Sequence, residues 1–257
     1  MPRRRSQSRG REHRPPRGAR ARRGRGLRSE GRVVAPGRLY AGSSGFSYPS
    51  WRDGFYPAGA KPDEFLRFYA GRLPSVELNS TFYRLPAEEQ FERWAQETGP
   101  DFRFAVTLAR RLTSFGRVEG VDDAARTIAR LGERLGPVRI KVQQARDDGF
   151  LRLLLDSLDS ELRWALDFRH ESWLDAEVQA RLDERGVARV DREDGTAEFR
   201  YLRLRDCPYA EEDLVAEAER IRRLLDTELD VYAYFRHEDE PTAPLYAERL
   251  LALAGGR

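Results

Sequence analysis

Glu77 lies in "VELNSTFYR" (residues 76–84) and Asp167 in "RWALDFR" (163–169). In both runs apolar residues alternate with polar ones, the pattern of a β-strand that sends successive side chains to opposite faces. One face of the first run carries Val76 and Leu78, the other Glu77, Asn79 and Thr81. Two inward carboxylates are candidates for general acid and base. Burial raises such a pKa and neighbouring Arg lowers it, so either residue could take either role. Two carboxylates across a sugar-sized gap would also suit glycoside cleavage. The competing reading is that each only pairs with a cation such as Arg169 or Lys141. His170, directly after Arg169, could move a proton or fix an anion; it could equally hydrogen-bond the next loop.

The elements that hold these residues repeat along the chain. Six further runs read as strands beside the two above: 38–44, 103–108, 138–143, 187–191, 199–205 and 231–236. Helical spacing of apolar residues predicts helices over 63–72, 88–97, 122–135, 173–185, 211–225 and 243–254. The fourth of these follows Ser172, with Asp175 three residues on as a capping box and Gly186 as its stop. Alternating strands and helices argue for a parallel sheet, and eight repeats in about 225 residues suit a closed TIM-type β/α barrel. Only "REDGTAE" separates Asp191 from Phe199, too few residues for a usual crossover, so the sixth crossover helix is expected to be short or missing.

Barrel geometry turns the alternation into an interior. The inward sets become Glu77/Asn79/Thr81, Arg103/Ala105/Thr107, Arg139/Lys141/Gln143, Ala165/Asp167/Arg169, Arg189/Asp191, Tyr201/Arg203/Arg205 and Tyr232/Tyr234/Arg236. This interior is polar, where most such barrels hold Val, Ile and Leu. Buried charge is costly unless paired, hydrogen-bonded or facing water. Arg103 and Arg139 sit at strand starts and are expected to reach solvent at the bottom. Lys141, Arg169, Arg203, Arg205 and Arg236 remain near the carboxyl ends, where such barrels hold their sites. A positive cup there suits a phosphate or carboxylate; a structural ion-pair network is the alternative. Asn79 and Tyr234 line the same interior. Tyr83 and Trp173, just past their strands, are expected as walls, and the aromatic loop "FSYPSWRDGFYPAG" as a lid.

Other chemistries find less support. Glu77, Asp167, Asp191, His170 and His237 have no local metal-ligand spacing, and the surrounding Arg would repel a cation, so no metal is expected. Cys207, the only cysteine, lacks a base and excludes an intrachain disulfide, which fits a reducing cytoplasm. "GSSG" after the first strand is neither a dinucleotide nor a P-loop fingerprint, and no cofactor is expected. No apolar run approaches a membrane span.

Charge divides the chain in two. Residues 1–32 hold 13 Arg against Glu12 and Glu30, a balance of +11; with +3 overall, residues 33–257 carry −8. The first segment is expected to be a disordered tail, either an arm for nucleic acid or the product of a wrongly assigned start. Residues 33–257 are expected to form a single barrel domain.

The runs "AGSSGFSYPSWRDGFYP", "VELNSTFYRLP", "DFRFAV", "DFRHESW", "YLRLRD" and "VYAYFRHED" together resemble the domain-of-unknown-function family 72, the YecE-like proteins, over about residues 38–254. The resemblance implies a TIM barrel with a polar cavity at the carboxyl ends of its strands and no established activity. Arg205 stands where the family usually has His, and Arg236-His237 where it usually has Asn-Asn, which argues against proton transfer at those positions. The expected function is binding of a small anionic substrate, with turnover by carboxylate acid/base chemistry of lyase, isomerase or hydrolase type if the protein is an enzyme. The alternative is a non-catalytic protein that binds an anionic ligand or nucleic acid. Oligomeric state is not legible.

Overall fold

A computed structural model describes residues 35–113 and 117–255; the Arg-rich tail lies outside the described residues. The fold is mixed α/β with two parallel sheets. Strands β1 (Leu39–Ser43), β8 (Asp230–Phe235) and β7 (Phe199–Leu204) form one, in the order β1-β8-β7. Strands β2 (Ser75–Leu78), β3 (Arg103–Thr107), β4 (Leu135–Val142), β5 (Trp164–Phe168) and β6 (Ala188–Arg189) form the other, in sequence order. The strands therefore ladder as two sheets, not as one continuous one. Hydrogen bonds cross both seams: Gly45 N donates to Glu77 O at 2.7 Å, and Asp191 N to Tyr201 O at 2.9 Å. The β1–β2 seam is tight, since a Cβ on Gly42 would lie 1.9 Å from Ser75 O, so only glycine fits there.

Helices α1 (Phe65–Ala70), α2 (Glu88–Glu97), α3 (Val121–Ile128), α4 (Asp148–Asp156), α5 (Ala176–Asp183), α6 (Glu211–Leu225) and α7 (Thr242–Ala254) follow the strands. Their apolar stripes cover the outward strand faces, where Val76, Val106, Val138, Ile140, Leu166, Leu202 and Val231 are all buried in one core. A second cluster fills the side shared by the two sheets: Tyr40, Ala105, Ala165, Ala188, Val190, Ala197, Phe199, Tyr201, Tyr232 and Tyr234.

Several elements depart from the sequence expectation. Strand β2 ends at Leu78, and Ser80–Phe82 form a 3-10 helix. There Thr81 Oγ1 donates to the carbonyls of Leu78 (2.6 Å) and Thr107 (2.7 Å), giving the backbone an alternative to the ladder. Helix α4 has no counterpart in the expected set; Asp147 caps it by accepting from Phe150 N at 2.9 Å, and it buries Phe150, Leu151, Leu154 and Leu155. Helix α5 begins at Ala176, not Trp173, because Asp175 and not Ser172 is its cap, accepting from Glu177 N at 2.8 Å. The expected missing helix between β6 and β7 is indeed absent among the described residues. Arg200 organises that loop: its guanidinium donates to the carbonyls of Glu193, Gly195, Ala197 and Phe199 at 2.6–2.9 Å.

Strand β6 is two residues long, and its facing was misread. Leu166 registers with Arg189, so Arg189 points outward and lies over the Phe168 ring at 5.5 Å, while Ala188 points in.

Candidate functional site

Glu77 is fully buried, and donors reach both its oxygens. Oε1 accepts from Tyr201 OH (2.6 Å) and Arg139 Nη1 (3.0 Å). Oε2 accepts from Ser44 Oγ (2.9 Å) and Arg203 Nη1 (2.5 Å). Three strands, β2, β4 and β7, and the end of β1 thus meet at one carboxylate. Burial on its own would raise its pKa, but Arg203 and Arg139, with hydrogen bonds from Tyr201 and Ser44, hold it lowered to about 2. The same carboxylate and burial push the Tyr201 phenol well above its ordinary value, burial contributing most.

Arg139 joins the two inward carboxylates. Beyond Glu77 it donates through Nε (3.0 Å) and Nη2 (2.5 Å) to Asp167 Oδ2. It is 3% exposed, contrary to the expectation that it reaches solvent at the bottom. Strand β4 starts at Leu135, three residues earlier than its alternation suggests, which moves Arg139 from the strand's entrance to its middle. Burial opposes the Arg139 charge, but Glu77 and Asp167 outweigh it and raise its pKa.

Above this layer the cations outnumber their partners. Lys141 registers with Asp167 across β4 and β5, yet among the described residues no carboxylate oxygen pairs with its amine within 4.0 Å, and its Nζ lies 5.4 Å from the Phe82 ring centroid. Arg169 Nε is 3.3 Å from Asp167 Oδ1. Arg205 donates to Asp191 Oδ2 at 2.5 Å and stands 3.8 Å from Asp167 Oδ2. Asp191, held at φ 63°, also accepts from Arg203 N at 2.6 Å. The buried Nε of Arg203 and the Nε and Nη2 of Arg205 have no hydrogen-bond partner among the described residues. Five cations (Arg139, Lys141, Arg169, Arg203, Arg205) thus face three carboxylates (Glu77, Asp167, Asp191). Burial first, then Arg169 and Arg139, lower the Lys141 pKa; burial first, then Arg205, lower that of Arg169.

Asn79 belongs to the same cluster although it lies past β2: Nδ2 donates to Ser44 Oγ at 2.8 Å, and Oδ1 accepts from Thr107 Oγ1 at 3.2 Å. It also borders a cleft of about 710 Å³ that Tyr48 and Trp94 help to line.

Other expected site residues lie elsewhere. Trp173 is not a wall; it is fully buried in the outward core, stacked on Phe168, with Nε1 donating to Gln144 O at 2.8 Å. Tyr234 is fully buried, its hydroxyl 2.6 Å from Ser75 Oγ, and serves the interior packing. Arg236 is exposed and paired with Glu238, because β8 ends at Phe235 and the alternation ends with it. Tyr83 is 83% exposed. His170 is exposed, with Nδ1 2.8 Å from Ser172 Oγ and accepting from Ser172 N at 3.2 Å, so it caps a 3-10 turn. The aromatic loop after β1 is packed into the core: Trp51, Phe55 and Tyr56 are buried, and Tyr48 stacks on His237.

Sequence reasoning missed Arg139, Tyr201 and Ser44 as site residues. Arg139 and Tyr201 already stood on the inward faces; counting residues from the true start of β4 would have found the first. Among the described residues, no three His, Cys, Asp or Glu side chains converge as a metal would require. None of the described helices is long and apolar enough to cross a membrane.

Comparison with known proteins agrees with this architecture. The sequence pattern described as "Protein of unknown function DUF72" matches residues 40–257. The UPF0759 protein YecE of Escherichia coli K12 is 27% identical over 165 residues, 59% of this chain and 58% of that protein. The UPF0759 protein YunF of Bacillus subtilis is 30% identical over 81 residues, 32% of this chain and 28% of that protein. The chain thus matches less than two thirds of the length of these relatives. A DUF72 family protein from Thermotoga maritima superposes with a TM-score of 0.69 at 24% identity, covering 85% of this chain and 99% of that one. Another from Enterococcus faecalis gives 0.68 at 14%, covering 85% and 96%. At these identities the likeness concerns the fold alone.

Proposed function

Because the chain belongs to the DUF72 family of proteins of unknown function, its chemistry has to be argued from the site, and we propose that the carboxyl ends of the strands bind a small phosphorylated or carboxylated ligand. We read the eight parallel strands as one closed TIM-type barrel whose polar interior is this site; the backbone bonds at both seams support that reading. The observation that carries the function is the surplus of donors. Lys141, Arg169 and the free nitrogens of Arg203 and Arg205 surround Asp167 without enough acceptors to satisfy them. Buried guanidinium nitrogens without partners are costly, and an anion with several oxygens supplies what they lack.

The two carboxylates divide the work. Glu77 is saturated with donors and ionised down to about pH 2, so it anchors Arg139 and Arg203 and takes no proton near neutrality. Among the described residues Asp167 Oδ1 pairs only with Arg169, at 3.3 Å, which makes Asp167 the carboxylate that would transfer a proton if the ligand is turned over. The saturation of Glu77 equally favours the second reading, a binding protein without chemistry.

The test is thermal unfolding with inorganic phosphate, pyrophosphate and citrate, on the native chain and on Arg169→Ala. A ligand at about 100 times its Kd adds roughly 2.7 kcal/mol, about 5–10 °C for a domain of this size. We expect at least one anion to stabilise the native chain and the effect to disappear in Arg169→Ala with the fold intact. Absence of any anion effect, or its full survival in Arg169→Ala, would remove this reading.

A further inference from the structure

Lysine is almost absent from this chain: Lys61 and Lys141 stand against 44 Arg. Where a cation alone is wanted the chain uses Arg, so an amine in the middle of the cationic cluster stands out. Lys141 is the one amine on the strands of the site. It is half-buried, rests by the Phe82 ring, and has no carboxylate of the described residues within ion-pairing distance, although Asp167 is its registered neighbour on β5. The charged groups around it are Arg139 on its own strand, Asp167 on β5, Arg169 just past the end of β5, and Arg203 on β7. Three of these four are cations, and the one carboxylate already holds Arg139.

We propose that Lys141 is a nucleophile that forms an imine with an aldehyde or ketone carrying a phosphate or carboxylate group. The inference rests on the anion-binding reading above and names the substrate class of that site. An uncharged amine is the reactive form, and neighbouring cations with partial burial favour it. Its lone pair attacks the carbonyl carbon, a C–N bond forms, and the carbonyl oxygen becomes a hydroxyl after taking a proton. The nitrogen then gives up its protons, water leaves, and a C=N bond remains. Asp167, through the oxygen that faces Arg169, is placed to carry those protons; Arg169, Arg203 and Arg205 hold the anionic group. No oxidant or metal is needed for this step.

The chain offers its own internal control, since the exposed Lys61 is the only other lysine side chain. The full chain would be treated near neutral pH with pyridoxal 5′-phosphate, or with pyridoxal lacking the phosphate, reduced with sodium borohydride and mapped by mass spectrometry. We expect pyridoxal 5′-phosphate to modify Lys141 several-fold faster than Lys61, with inorganic phosphate protecting Lys141, and pyridoxal to react more slowly there. Lys141→Arg should abolish the adduct at position 141 and leave the labelling of Lys61 unchanged. Equal labelling of the two lysines, or labelling of Lys61 alone, overturns the imine assignment and leaves anion binding standing if the thermal response persists. Selective labelling of Lys141 that is equally fast without the phosphate, and unprotected by it, overturns the assignment to an anionic carbonyl by removing the anion reading beneath it.

Discussion

The two halves of the interior are built on opposite principles. Near the strand starts, Tyr40 and Tyr232 stack at 4.7 Å, Phe199 meets Tyr232 edge-on, and Ala105, Ala165 and Ala188 leave room for the rings. This half is packed and its hydroxyls are small matters. Near the strand ends, Glu77, Arg139, Asp167 and Arg203 form a buried ionic layer, with Lys141, Arg169 and Arg205 only partly partnered above it. Aromatic packing is repaid within the folded chain. The ionic layer is not fully repaid, because buried ion pairs stabilise little against their desolvation and unpaired donors cost more. The contrast separates a floor whose groups are packed within the chain from a layer with surplus charge, which on the proposed reading an anionic ligand would offset.

The sharpest break comes at the joint between the halves. Arg139→Met removes the cation shared by Glu77 and Asp167 and leaves both carboxylates buried without it. Removing one partner of a buried pair costs about 3–5 kcal/mol, and here we expect the upper end. Urea unfolding should show a lower midpoint with an unchanged slope. A loss under about 1 kcal/mol would mean that Arg139 does not hold the two buried carboxylates together.

Much of this contrast was legible in the chain, and the failures have physical causes. The alternation of Val76, Glu77 and Leu78, and of Leu166, Asp167 and Phe168, depends only on the two-residue period of a strand, and it put both carboxylates inside. Alternation says nothing about where a strand begins or ends. The start of β4 lies outside the apolar run, so alternation alone puts Arg139 at the strand entrance and not in its middle; the end of β8 at Phe235 sends Arg236 out to Glu238. In the two-residue β6 the alternation had too little length to set a face, and Arg189 was read inward. Helix α4 escaped because "GFLRLLL" is a nearly continuous apolar run and lacks a clear period. His170 and Trp173 follow β5 in a tight turn, where hydrogen bonds to Ser172 and to Gln144 O decide their direction.

Acid should sharpen the comparison without a substitution. Glu77 has a folded pKa of about 2, below its ordinary 4.5. A depressed carboxylate contributes stability that is fully present above its unfolded pKa and is lost as pH falls through the folded one. The contribution, on the order of 3 kcal/mol at one unit per 1.36 kcal/mol, should therefore hold above about pH 5 and drain away between about 4.5 and 2. The Glu77→Gln chain should lack that part of the acid dependence. If both chains lose stability in parallel over this range, Glu77 is not the group that titrates.

The floor can be probed from the other side, by adding volume. Ala165 is fully buried on β5, two residues before Asp167, among the stacked tyrosines. Ala165→Leu forces methyl groups into a space that already holds rings, and overpacking of this kind costs about 1–3 kcal/mol. The informative quantity is what happens above it. If the floor is a rigid support, the strain is met by shifts in Tyr201 or Tyr232, and Tyr201, which donates to Glu77, passes some of it to the ionic layer. We then expect anion stabilisation to weaken although no charged group has changed. If the anion response stays at its native size while stability falls, the two halves are energetically separate, and the aromatic floor serves folding alone.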